Sequence, residues 1–202
     1  SGSDRLSHGS TFPKLGHGKH ISTLFQFVHL MKMDFLDVIK GRRSIRKYLP
    51  KEVEKEKIDT ILEAAQWAPS ASNKQPWHFV VVQDSDTRTR LSELHTHGRF
   101  MKQSPIVIAV LGNPAVHPKY YLCDPHQAVQ NIILTAYWLG LGSCWMGVRG
   151  ADFEKDMKEV LGVPEEFTIL CTISIGYPDE KRESSRQPIN ELVSWERYGK
   201  QG

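Results

Sequence analysis

The stretch Asp124–Leu139 constrains the fold of this chain more than any other. Ala128, Val129, Ile132, Ile133, Leu134, Ala136, Tyr137, Trp138 and Leu139 leave almost no polar face. A helix of that kind must be covered on most sides, so it lies centrally in a domain or at a subunit interface. Its ends are marked too. Asp124 reads as the N-cap, Pro125 as the first helical residue and Gln127 as the second half of a capping box. Gly140 supplies the stop.

Helical and strand patterns alternate around it. Short helices are predicted over Asp34–Lys40, Asp84–His95 and Asp152–Val160. A longer one, Glu54–Ala68, carries Ile58, Ile61, Leu62 and Ala65 on one face. Buried strands are predicted at His78–Val82, Pro105–Leu111 and Thr168–Ile175. Gly176-Tyr177-Pro178 ends the last strand, and a polar, basic tail leads to a short element at Pro188–Val193. Ser1–Lys32 differs from the rest: Ser1–His20 is rich in Gly, Ser and His, and Ile21–Met31 is a short apolar patch. Residues 1–32 are expected to be a leader foreign to the fold, with natural initiation at Met31 or Met33. The alternative is a native arm packed on a partner. Residues 33–202 are expected to form a single domain.

Composition narrows the function. A net charge of +3 is too small to make nucleic acid the main partner, although a local cluster could bind an anion. Cys123, Cys144 and Cys171 are odd in number, with no metal spacing and no C-x-x-C, which points to a reducing, cytoplasmic compartment. No apolar run is long enough to span a bilayer.

Three stretches carry chemistry. Lys40–Lys47 holds five cations and Ser44. It is either a solvated basic turn or an anion site in which guanidinium forks meet phosphate oxygens. Exposed aromatics of the kind single-strand binders use are missing from it. Ala68–Trp77 is a polar loop: Pro69 ends the preceding helix, and Ser70, Ser72, Asn73 and Gln75 bring hydrogen-bonding groups beside an indole. It reads as an ordinary turn or as a ligand loop at a strand end. Gly140–Gly147 reads as a glycine loop that lets a ligand approach backbone, without dinucleotide or P-loop spacing. Cys144 within it reads as a small buried hydrophobe rather than a nucleophile. His117 reads as an exposed loop residue.

In combination, these stretches resemble the nitroreductase family of flavin enzymes. Arg42-Arg43-Ser44-Ile45-Arg46 matches its R-R-S-x-R run, Ala68–Trp77 its A-P-S-x-x-N-x-Q-P-W, and Gly140–Gly147 its G-L-G-x-C-W-x-G. Gly176–Pro178 followed by Arg186 matches its G-Y-P turn and basic residue. The resemblance implies an α+β fold, a mostly antiparallel sheet wrapped by helices, in an intertwined homodimer with FMN at the interface. It implies that Arg42, Arg43, Ser44, Arg46 and Arg186 hold the phosphate and ribityl end. Pro69, Ser70, Ala71 and Asn73, with Gln75 of the same loop, would come from the other protomer to the ring. Trp145, Met146 and Gly147 would add ring contacts, largely through backbone. The implied donor is NADH or NADPH, and the implied acceptors are nitroaromatics, quinones or enones. No side-chain acid or base is required, because the flavin carries the chemistry. No metal is expected. Reductive dehalogenation or flavin breakdown on the same cofactor, and a non-catalytic flavin- or anion-binding module, are the alternatives.

Overall fold

In the computed structural model of the chain, which describes residues 33–202, the sheet grows outward from its two most apolar strands. β2 (Ile106–Gly112) and β4 (Thr168–Gly176) lie side by side and are buried almost throughout. β1 (Trp77–Val82) flanks β2, and β3 (Gly142–Gly147) flanks β4. The order is therefore β1-β2-β4-β3, with every pairing antiparallel. Among the described residues, five helices accompany the sheet: α1 (Phe35–Gly41), α2 (Lys55–Gln66), α3 (Ser85–Leu94), α4 (Pro125–Trp138) and α5 (Glu154–Leu161). This is the expected α+β arrangement. The expectations for residues 1–32 lie outside the described residues.

Alternation along the strands sorts the side chains into two layers. Val107, Ala109 and Leu111 of β2 and Cys144 and Met146 of β3 form one core with Leu91 of α3, Met101, and Met157 of α5. On the opposite face α4 packs against β2 and β3, with α1 and α2 against it in turn. α4 buries Ala128, Val129, Ile132, Ile133 and Ala136, but Trp138 near its end remains 38% exposed. The apolar helix is thus central along most of its length and uncovered at one end.

Several expectations change. His78–Val82 is not a buried strand: β1 is an edge, and only Val82 is buried. Gly140–Gly147 is not a loop beyond Leu141, because Gly142–Gly147 is strand β3. Gly140, at φ 77°, is the helix stop. Gly142 answers a close approach, since a Cβ there would sit 2.8 Å from the Ile45 Cβ. Asp124 is no side-chain cap. It has helical φ and ψ, the Gln127 N–H is bonded to its own main-chain carbonyl, and its carboxylate accepts from the Ala71 N–H at 2.9 Å. The expected apolar face of α1 buries only Val38, leaving Phe35, Leu36 and Ile39 exposed. Pro188–Val193 reduces to a single 3-10 turn, Ile189–Glu191.

Candidate functional site

The basic run lies along the open edge of β3. Ser44 bridges Ser143 in parallel, and the Ile45 N–H donates to the Ser143 carbonyl at 2.9 Å. Tyr48, buried, donates to the Ile45 carbonyl and shares a 2.7 Å hydrogen bond with the Ser174 hydroxyl, which pins the run to β4. Burial, the largest cause, pushes the Tyr48 phenol well above its ordinary range, so it stays protonated and able to donate.

This placement opens a cavity of about 360 Å³ lined by Arg42, Arg43, Ser44, Arg46, Arg182 and Arg186, with Ser184 and Glu183. Five guanidiniums face one carboxylate there. Arg42 is held below the usual guanidinium range, first by burial and then by the charges of Arg186 and Arg43. Such a cluster repels itself until an anion enters. Arg43 is divided in its role. Its Nη1 donates to the Lys40 and Arg42 carbonyls, the first within the last turn of α1, while its buried Nε has no partner among the described residues. Arg46 is steadied from beneath by the Phe100 ring, 5.9 Å from its guanidinium carbon. Its N–H donates to Glu180 at 2.5 Å.

Beyond Ser143, no described strand or bridge pairs with the outer edge of β3, where the Gly147 carbonyl meets the His95 Nε2 at 3.0 Å. The Val148 N–H donates to the Leu170 carbonyl, so Val148, Met146 and Cys144 point their amides at β4. By the same alternation Trp145 and Gly147 point theirs outward. Their N–H groups find no partner among the described residues. The interval from Ser143 to Gly147 spans about 13 Å of strand. Trp145 is 46% exposed and rests against His126 of α4, ring centroids 5.4 Å apart. A Cβ at Gly147 would meet nothing within 4 Å, so space opens beside this backbone. Met146 points the other way into the core, so any contact it offers a ligand is through its main chain. Cys144 is buried beneath the arginines. Burial pushes its thiol up against the pull of Arg46, which keeps it protonated and argues against a nucleophile.

The polar loop is a third, separate surface. None of Pro69, Ser70, Ala71, Asn73 or Gln75 lines the arginine cavity of the same chain. The Ser70 carbonyl and hydroxyl take the Asn73 and Gln75 N–H groups, and the Ala71 N–H is tied to Asp124. Ser72, Asn73 and Gln75 hold φ of 52°, 54° and 52°. Left-handed backbone at non-glycine residues is strained, and strain of this kind concentrates at binding sites. Arg182, Ser184, Ser143 and Asp124 are contributors that the motifs alone do not reveal. The run Lys181–Arg186 is the sequence signal for the first two. His117 is half-exposed and edge-on to Tyr120. No group of three or more His, Cys, Asp or Glu among the described residues could hold a metal ion, and no described helix is long and apolar enough to cross a membrane.

Comparison with known proteins gives the family. A sequence model of the Nitroreductase family matches residues 39–98 and 94–177. A Methanothermobacter thermautotrophicus protein, named provisionally as an NADH dehydrogenase/NAD(P)H nitroreductase, is 40% identical over 152 residues, covering 74% of this chain and 80% of its own. A Thermus thermophilus NADH dehydrogenase is 31% identical over 191 residues, covering 76% of this chain and 92% of its own. The solved structure of an FMN-dependent nitroreductase from Clostridium difficile is 36% identical, with a TM-score of 0.77 over 81% of this chain and 100% of that one.

Proposed function

This chain belongs to the nitroreductase family, and we propose that it is an FMN-dependent oxidoreductase. It takes a hydride from NADH or NADPH and passes it on to nitroaromatic, quinone or enone-type acceptors. The observation that carries this reading is the meeting of five arginines with the outward amides of β3.

The residues fit the cofactor at both ends. A terminal phosphate suits the self-repelling cluster of Arg42, Arg43, Arg46 and Arg186, where Ser44 adds a neutral donor. A flat, mostly apolar ring with polar edges suits the Trp145 surface and the outward amides of Trp145 and Gly147. When bound, FMN supplies the electron-carrying chemistry, accepting hydride from the nicotinamide and reducing the second substrate. The chain binds and orients. Its arginines neutralise the phosphate, and its edge amides, already fixed in a strand, stabilise charge that develops on the ring without having to reorganise. No side chain at the site needs to give or take a proton.

A homodimer completes the reading. Phe35, Leu36 and Ile39 of α1, Trp138 of α4, and Ile189, Leu192 and Trp195 of the tail expose large apolar surface that the described chain does not cover. Pro69, Ser70, Ala71, Asn73 and Gln75 would then reach the ring held by the partner's cavity, which fits their absence from the cavity of their own chain. All three cysteines are free, as a cytoplasmic protein's would be.

The test is direct. Protein purified with flavin supplementation should be yellow, release FMN rather than FAD by mass spectrometry, and turn over NAD(P)H in the presence of a nitroaromatic or quinone. Bleaching by NAD(P)H without turnover on any of these acceptors would replace the acceptor assignment with another flavin reaction. A colourless protein would remove the reading.

A further inference from the structure

His95 is a buried imidazole outside both the arginine cavity and the polar loop. It sits at the C-cap of α3 with 5% exposure. Its hydrogen bonds determine where its proton resides. The His97 N–H approaches Nδ1 at 3.1 Å, so Nδ1 must accept and carries no hydrogen. The proton of the neutral ring is therefore on Nε2, and Nε2 lies 3.0 Å from the Gly147 carbonyl. That contact is a donation into Gly147.

The surroundings are built around this ring. Phe153 packs on it with centroids 4.7 Å apart. The chain turns back over it through a hydrogen bond from the Gly98 N–H to the His95 carbonyl. A Cβ at Gly98 would come within 2.8 Å of the His95 Cβ and Cγ, so glycine there is what leaves room for the imidazole. Burial, the largest cause, holds the ring below its ordinary pKa, which keeps it in the neutral, single-donor form.

The acceptor is not an ordinary core carbonyl. Gly147 is the last residue of β3, and its carbonyl, like its N–H, points away from β4. A glycine at a strand end has wide conformational freedom. Just beyond it, the Val148 and Arg149 N–H groups both converge on the Leu170 carbonyl, where β4 carries an extra residue opposite β2. Those bonds hold the chain after Gly147. The His95 bond holds Gly147 itself.

We propose that His95 is a positioning residue for the flavin ring. Through its Nε2–H on the Gly147 carbonyl, it locks the end of β3 so that the outward Gly147 N–H stays presented to the ring. This rests on the FMN reading above. His95 does not touch the cofactor and takes no part in hydride transfer.

The experiment compares wild-type holoprotein with His95→Leu, which keeps volume without a donor, and His95→Gln, whose amide nitrogen replaces Nε2–H. FMN affinity is read by fluorescence titration, the ring environment by the visible absorption envelope, and its energetics by the midpoint potential. His95→Leu should weaken FMN binding about tenfold, the scale of one lost hydrogen bond, while His95→Gln stays within about threefold. His95→Leu should also move the envelope and the potential, and His95→Gln should return both toward wild type. A folded His95→Leu with wild-type affinity, spectrum and potential overturns the proposal, as does a His95→Gln as impaired as His95→Leu. Nitrogen NMR of wild-type holoprotein needs no variant to fold. It should show the His95 tautomer protonated at Nε2 at neutral pH, and protonation at Nδ1 overturns the proposal. Wild-type protein that takes up no FMN overturns the cofactor reading and this proposal together, an outcome separate from indifferent variants of a flavin-loaded protein.

Discussion

Asp124→Ala tests how the strained loop is held. The Asp124 carboxylate receives the Ala71 N–H at 2.9 Å, and both residues are half-buried. A hydrogen bond to a charged group contributes about 1.5–3 kcal/mol net, and solvent access puts this one at the lower end, about 1.5 kcal/mol. The same carboxylate at the N-terminus of α4 contributes about 0.3–1 kcal/mol through the helix dipole. The gross loss is therefore about 2 kcal/mol. Against it stands the strain at Ser72, Asn73 and Gln75, each costing about 1–3 kcal/mol and sustained only while its neighbours fix it. A freed loop recovers part of one such increment, so the net loss falls to about 1–2 kcal/mol. For a chain of this size that lowers Tm by about 2–8 °C. Relaxation also spoils the surface offered to the ring, so FMN affinity should fall about tenfold, or about 1.4 kcal/mol. Asp124→Asn keeps an acceptor and should show about half of each effect. Thermal melts and fluorimetric FMN titration give both numbers. Asp124→Ala with unchanged Tm and unchanged FMN affinity would refute the tether.

Three further outcomes are expected. Arg42→Ala or Arg46→Ala should weaken FMN binding by about 1.5–3 kcal/mol, and Arg→Lys should recover only part of it, because the planar fork is lost; titrations showing wild-type affinity in both alanine variants would remove the phosphate assignment. Mixing Arg46→Ala subunits with Asn73→Ala subunits should raise activity toward about a quarter of wild type, because half of the dimers are mixed and half of their sites carry neither lesion; if both segments serve one site from one chain, mixing restores nothing. The third outcome concerns acid. Burial, the largest cause, holds His95 below its ordinary range; the bond to Gly147 raises it in part, and the charge of His97 lowers it further by a smaller amount. The unfolded imidazole therefore binds a proton that the folded one refuses. Stability from this group is full above the unfolded pKa of about 6.5 and is lost as pH falls from there toward the lowered folded value. Melts of wild type and His95→Gln from neutral to mildly acidic pH should converge as pH falls, and parallel curves would contradict this.

What was legible in the sequence is what is local. Ile106–Leu111 declares its burial through an unbroken apolar run and Asp124–Leu139 through apolar residues on most of its faces, and Arg42–Arg46 declares a charge cluster, so the central strand, the main helix and the basic cluster were all readable. What depends on distant partners was not. His78–Val82 is as apolar as a central strand, yet pairing leaves it at the edge. Glycines at 140, 142 and 147 suggest a loop, because glycine weakens strands. The close approach of Ile45 that makes glycine necessary at Gly142 comes from a segment nearly a hundred residues away. Asp124 has the composition of a cap, but its carboxylate bonds across the chain to Ala71. His95 carries no motif at all. Its place is intelligible only once Gly98 and Gly147 are seen on either side of it.

On the proposed function, the arginine cavity and the outward amides of β3 together hold FMN for reduction by a nicotinamide. Anaerobic titration of the purified protein with NADH and with NADPH, followed by flavin absorbance, tests it most directly. With at least one of the two donors, the flavin absorbance should bleach completely at about one equivalent per bound flavin, and air or a nitroaromatic should restore it. A protein that stays colourless after FMN supplementation, or whose bound flavin neither nicotinamide bleaches, would contradict the claim.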